Sequence, residues 1–146
     1  MLILNRRINF DFNVHQTFEA GVALTGTEVK SIRKNHIGIQ DCYVSIKKDE
    51  AWLLNWNIPI YNYSYKDNNY DPRRPKKLLL KRNEIYRIIG LTKQNGYTIA
   101  ISKCYTNKRG FIKLELALVT GKKQYDKRRY IKEKDKRREE RTKFKD

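Results

Sequence analysis

Ile112-Lys113-Leu114-Glu115-Leu116-Ala117-Leu118 is the stretch that decides the fold. Ile112, Leu114, Leu116 and Leu118 fall on every second residue, with Lys113 and Glu115 between them. That is the period of a β-strand with one buried and one wet face. Upstream, Asn107–Gly110 is a turn and Tyr97–Tyr105 another strand. Cys42–Ile46 and Ala51–Trp56 are two more, joined by the polar Lys47–Glu50 as a hairpin. Phe12–Leu24 alternates more weakly and reads as a strand bent or broken near Gly21.

Two helices punctuate these strands. Thr25 and Glu28 have the spacing of a capping box, so a helix should follow with Val29 and Ile32 facing inward. Lys30, Arg33 and Lys34 would face outward, and Gly38 closes the segment. Asn83 is placed to cap a second helix, with Ile85, Ile88 and Ile89 as its stripe, ending at Asn95-Gly96. Tyr61 to Pro75 reads as a long loop. Strands in this number with two flanking helices predict a mainly β fold, a small antiparallel OB-like barrel, with an open α+β sheet as second choice.

Gly121–Asp146 is different. It holds thirteen Lys or Arg, six Asp or Glu and few large apolar side chains, so it cannot bury enough surface to offset its ordering entropy. The expected division is a body over residues 1–120 and a basic arm over 121–146, disordered when free. Glu133/Arg137 and Glu139/Lys143 at i,i+4 favour a helix, while Lys132/Lys136 and Lys134/Arg138 oppose it. A helix would therefore form only once the cations are neutralised. Net charge is +17; the arm accounts for +7 and the body keeps +10. Both parts favour an anionic partner, and RNA is the first candidate.

Other classes find little support. Cys42, Cys104, His15 and His36 are isolated, so neither a metal nor another cofactor is expected. No nucleophile set, phosphate loop or metalloprotease motif appears, which argues against an enzyme. Met1–Leu4 is too short for a signal peptide, and no apolar run approaches the roughly 20 residues of a spanning helix. A cytoplasmic monomer without membrane contact is expected.

The candidate RNA contacts follow from the basic segments. Arg6 and Arg7 precede the first strand, Lys30 and Arg33 lie outward on the first helix, and Lys76 and Lys77 end a run stiffened by Pro72 and Pro75. Tyr61, Tyr63, Tyr65 and Tyr70 can stack on bases or pack over the barrel mouth. Lys122, Lys123 and Tyr125 join body to arm, and Tyr125 has no core to enter. Arg129, Lys132, Lys136, Arg137 and Arg138 carry the arm's charge onward.

Four segments taken together resemble one family: Phe18-Glu-Ala-Gly21, Leu24-Thr-Gly-Thr-Glu-Val-Lys-Ser-Ile-Arg33, Asp71-Pro with Lys76-Lys-Leu-Leu-Leu80, and Gly121-Lys-Lys-Gln-Tyr-Asp-Lys-Arg128. The chain is similar to the SsrA-binding proteins (small protein B, SmpB), partners of transfer-messenger RNA (tmRNA). The resemblance implies an OB-type barrel that binds the tRNA-like domain of tmRNA and delivers it to stalled ribosomes for trans-translation. It implies RNA contacts at Asn5, Glu19, Leu79 and Lys113. It implies that the basic arm, whose Asp126, Lys127 and Arg128 correspond to the family's Asp-Lys-Arg motif, is unstructured when free and becomes helical in the empty mRNA channel, against 16S rRNA near the decoding centre. Phe10 and Tyr125 stand where some family members have His. A structural ribosomal protein, or a general OB-fold RNA-binding protein, is the alternative; a nuclease would need a carboxylate cluster that the sequence lacks.

Overall fold

A computed structural model describes residues 1–35, 37–61, 69–93, 96–122 and 124–143, without the side chains of 35, 124–126 and 139–143. Tyr63, Tyr65, Asn95 and Lys123 lie outside it, as do the side chains of Tyr125, Asp126, Glu139 and Lys143. In chain order the elements are β1 (Leu2–Leu4), α1 (Ile8–Asp11), β2 (Phe12–Val22), α2 (Gly26–Asn35), β3 (Tyr43–Lys47) and β4 (Glu50–Leu54). There follow β5 (Lys76–Leu79), α3 (Arg82–Thr92), β6 (Tyr97–Thr106), β7 (Ile112–Gly121) and α4 (Gln124–Lys143).

The sheet order is β1-β6-β3-β4-β5-β2-β7, and β7 pairs back onto β6. Every pairing is antiparallel, so β6, β3, β4, β5, β2 and β7 close a ring, with β1 added on β6. This is the expected barrel and not the open sheet. Closure leaves few unpaired edges. Ile32, Leu53, Leu78, Ile99, Ile101, Leu114 and Leu116 fill the interior. The alternation of β7 holds from Ile112 to Leu116. Beyond that point Ala117 and Val119 are buried as well, because Ile8 of α1 and Phe12 cover them in a second small cluster.

Three details differ from the sequence reading. β2 runs unbroken through Gly21, and its irregularity falls between Val14 and Gln16, where His15 Nε2 lies 2.8 Å from Thr120 Oγ1. Residues 76–79 form a strand, not a basic run after a loop. The hairpin turn falls within Lys47–Glu50 as read, with Lys48 and Asp49 both at positive φ (51° and 60°), the geometry of a two-residue loop. The capping box of α2 forms as read: Glu28 N donates to Thr25 Oγ1 at 3.2 Å and Thr25 N to Glu28 Oε1 at 2.8 Å. For α3 the cap moves to Lys81, whose N–H donates to Glu84 Oε1 at 3.0 Å. Ile85 and Ile88 are buried, while Ile89 is half-buried.

Glu28 does more than cap. It is almost fully buried, and its carboxylate meets Arg74 Nη2 at 2.6 Å and Lys76 Nζ at 3.9 Å. Lys76, also fully buried, donates to the carbonyls of Trp56 at 2.8 Å and Pro72 at 3.4 Å. One carboxylate thereby ties the start of α2 to the strand entering β5. Burial alone would raise the Glu28 carboxyl, but Arg74, the Thr25 N–H and the Lys76 charge together hold it below its ordinary value of 4.5.

The arm is a helix here. Its first turns rest on α1: Phe10 and Tyr130 meet edge to face at 6.3 Å, and Lys127 Nζ lies 4.0 Å from Asp11. Lys122 donates to the Asn9 carbonyl and sits 4.4 Å above the Tyr130 ring. Further along, residues 131–138 are exposed, and Arg129–Glu133 at 3.6 Å is an i,i+4 ion pair. The sequence reading missed this seat because α1 is one short turn with no periodic signal.

Removing the Glu28 charge would strand Lys76 in the interior. Glu28→Gln should lower stability by about 3–5 kcal/mol at neutral pH. A lowered carboxyl contributes stability that is whole above pH 4.5 and lost as pH falls through the folded value. Urea titrations between pH 7 and 3 should therefore show a shallower acid decline for Glu28→Gln than for the native chain. Parallel declines would show that the carboxylate does not weld α2 to β5.

Candidate nucleic-acid interface

The outer face of the barrel carries the site. β2 and β7 place Glu19 opposite Glu115 and Gly21 opposite Lys113. On its other edge Gly21 pairs with Leu79 of β5. A Cβ on Gly21 would stand 3.4 Å from both Leu79 Cβ and Lys113 Nζ, so the two flanking side chains meet over the glycine. Beside it runs a groove of about 490 Å³, with Val22, Leu24, Val29, Leu79 and Phe111 among its walls and Arg33 and Lys113 as its cations. Leu79 is 57% and Phe111 63% exposed, a large apolar presentation for a chain of this charge.

Each wall has a local cause. Leu79 alternates outward because Lys76 and Leu78 point in. Arg33 extends from α2 and donates to the Gly110 carbonyl at 2.6 Å, which fixes the turn that carries Phe111. Gly110 has φ +84°, a conformation that L side chains rarely adopt. The Glu28 network holds α2 and β5 at the spacing that defines the groove.

Among the predicted contacts, Arg33, Leu79 and Lys113 come together here, with exposed Glu19 two residues from Gly21 along β2. Lys30 is exposed on α2 and is not a groove wall. Lys77 is exposed and meets Glu50 at 3.3 Å. Arg6 and Arg7 are exposed; Arg7 lies 5.3 Å over the Phe10 ring and 3.7 Å from Asp11. A second basic surface gathers Arg7, Lys122 and Lys127 around α1, leading to exposed Arg128, Arg129, Lys132, Lys136, Arg137 and Arg138 on α4.

Two expectations need correction. Lys76 is fully buried with its ammonium spent on Trp56, Pro72 and Glu28, so it offers no charge to an RNA phosphate. Burial holds it below its ordinary value, although Glu28 pulls the other way. Asn5 is also buried: its side chain donates to the Ile101 carbonyl at 3.0 Å and accepts from Arg7 N–H at 3.3 Å. It holds the corner between β1 and α1. Of the tyrosines, Tyr70 is half-buried and donates to the Ile58 carbonyl at 2.7 Å, whereas Tyr61 lies under Lys34 at 5.3 Å.

Two residues the sequence reading passed over belong to this face. Tyr105 donates its hydroxyl to Glu19 Oε2. Phe111 has the outward parity of Lys113 in the strand pattern, which was the signal available for it.

A family model described as SmpB protein matches residues 2–146. A protein of Thermosipho africanus named SsrA-binding protein is 44% identical over 135 residues, covering 92% of this chain and 90% of that protein. One of the same name from Trichodesmium erythraeum is 46% identical over 134 residues, covering 92% and 85%. A solved structure described as "tmRNA-SmpB: a journey to the center of the bacterial ribosome" superposes with a TM-score of 0.70 at 39% identity, covering 84% of this chain and 85% of that one. With a family model spanning residues 2–146 and relatives of this identity over nine-tenths of its length, this chain belongs to the SmpB family.

Proposed function

We propose that the barrel binds the tRNA-like domain of tmRNA through the groove at Gly21, Leu79 and Lys113, and that the protein delivers this RNA to stalled ribosomes for trans-translation. The observation that carries the reading is the groove itself: exposed Leu79 and Phe111 flanked by Arg33 and Lys113, on a chain of net charge +17. Unpaired bases stack on such apolar surface while cations hold the phosphates. The family membership and the ribosomal context of the solved relative support it.

The arm has a separate task. Its cations from Lys127 to Arg138 suit a track lined by rRNA phosphate, such as the mRNA channel and decoding centre of a ribosome that has run out of message. Beyond Tyr130, residues 131–138 are exposed along α4 with little body to hold them, so this part of the helix frays toward coil in the free protein and becomes firm against the ribosome. The chain acts by binding and makes no bonds of its own. Its work is cytoplasmic, where ribosomes are; among the described residues no helix is long and apolar enough to cross a membrane.

Ending the chain after Tyr130 should leave affinity for the tRNA-like domain within a few-fold of native while abolishing tagging of nascent chains. A loss of affinity by two orders of magnitude would show that the arm, not the groove, holds the RNA. Lys113→Ala should weaken binding and reduce the slope of log K against log salt by about 1. In backbone chemical shifts of the free protein, residues 131–143 should average toward coil. A full helix there, indifferent to added rRNA fragments, would contradict the role given to the arm.

A further inference from the structure

Glu19 poses a physical question: an exposed carboxylate stands beside a groove proposed to hold a polyanion. Lys113 and Tyr105 occupy one cross-strand row with Gly21, and Lys103 and Glu115 occupy the next row with Glu19. Two carboxylates, Glu19 and Glu115, therefore face each other directly, a repulsive arrangement. Glu115 is compensated by Lys103 at 3.9 Å and by the Ser102 hydroxyl at 2.6 Å. Glu19 is compensated differently. The Tyr105 side chain reaches diagonally from β6 across β7, and its hydroxyl donates to Glu19 Oε2.

A neutral phenol is not equivalent to a cation. Lys or Arg would cancel the charge and attract phosphate. Tyr105 takes one oxygen and leaves the charge in place. Among the described residues Glu19 Oε1 has no hydrogen-bond or ion-pair partner. The phenol stays protonated throughout the neutral range: burial, the hydrogen bond to Glu19 and the charges of Glu19 and Glu115 push it up to about 12.

We infer that Tyr105 is a positioning residue that holds Glu19 as a fixed acceptor for hydrogen-bond donors of a nucleoside, so that this end of the groove reads bases or ribose and rejects phosphate. The inference rests on the RNA-binding reading of the groove. RNA offers a carboxylate only two kinds of donor: base amino or imino hydrogens and the ribose 2′-hydroxyl. Glu19 repels phosphate oxygens, whereas Lys113 two rungs away attracts them. The pair of opposite charges sets the register of the nucleotide on the strand face, as phosphate contacts position and base contacts specify.

The test compares full-length native, Tyr105→Phe, Glu19→Ala and doubly substituted proteins against the tRNA-like domain of tmRNA. Tyr105→Phe keeps the ring and should leave the melting temperature unchanged while raising Kd roughly three- to ten-fold, the range of one lost hydrogen bond. Its salt slope should equal that of native protein, since no phosphate contact is removed. In the Glu19→Ala background the same change should have no further effect. RNA pools carrying inosine for guanosine, or 2′-deoxynucleotides, should contain a position whose substitution weakens native protein but not Glu19→Ala, and the pool that shows it names the donor as base or ribose. Unchanged affinity of Tyr105→Phe, additive losses, an altered salt slope or the absence of such a position would overturn the inference while leaving groove binding intact. Native protein that failed to bind the RNA at all would overturn both readings.

Discussion

One buried carboxylate organises the molecule. Glu28 caps α2 with one hand and receives Arg74 and Lys76 with the other, inside a barrel whose remaining interior is almost wholly apolar. Buried ions are expensive unless each one is paired and hydrogen-bonded, and here each is. The geometry is therefore unforgiving. α2 cannot drift from β5 without stranding a lysine. Since α2 supplies Arg33 and β5 supplies Leu79, the same constraint sets the width of the groove.

The groove and the arm solve different problems with different physics. A groove that must discriminate among folded RNAs needs fixed walls, and it gets them from strand register, a glycine at the crossing and a side-chain clamp on the turn at Gly110. An arm that follows a long phosphate track needs charge and compliance more than shape. Its first turns are seated on α1, where Phe10, Tyr130, Lys122 and Asp11 set the direction in which the helix leaves the barrel. Past that point the exposed face from Ile131 to Arg138 is polar and cationic nearly all round, with little to bury.

Strong local signals were legible in the sequence. The alternation from Ile112 to Leu116, the capping box at Thr25 and the Lys47–Glu50 turn all sit where they were read, because each is specified by neighbours along the chain. Missing were features that exist only through long-range pairing. β5 is too short to show a period and contains a lysine that points inward, against every single-residue expectation. Lys76 and Asn5 looked like surface polar groups, since nothing local announces the carbonyls of Trp56 and Ile101 that claim them. Tyr105 lies 86 residues from Glu19, so their contact is a product of the ring closing. Gly21 looked like a break and instead lies within an unbroken β2, paired with Leu79 of β5 on one side and Lys113 of β7 on the other.

The central claim is a rigid RNA seat on the barrel and a separate basic arm that addresses the ribosome. Photo-cross-linking in growing cells tests it most directly, with a photo-reactive side chain placed at position 79 in one strain and at position 137 in another, followed by sequencing of the attached RNA. The account predicts tmRNA at position 79 and 16S rRNA at position 137. The same RNA at both positions, or rRNA alone at position 79, would contradict it.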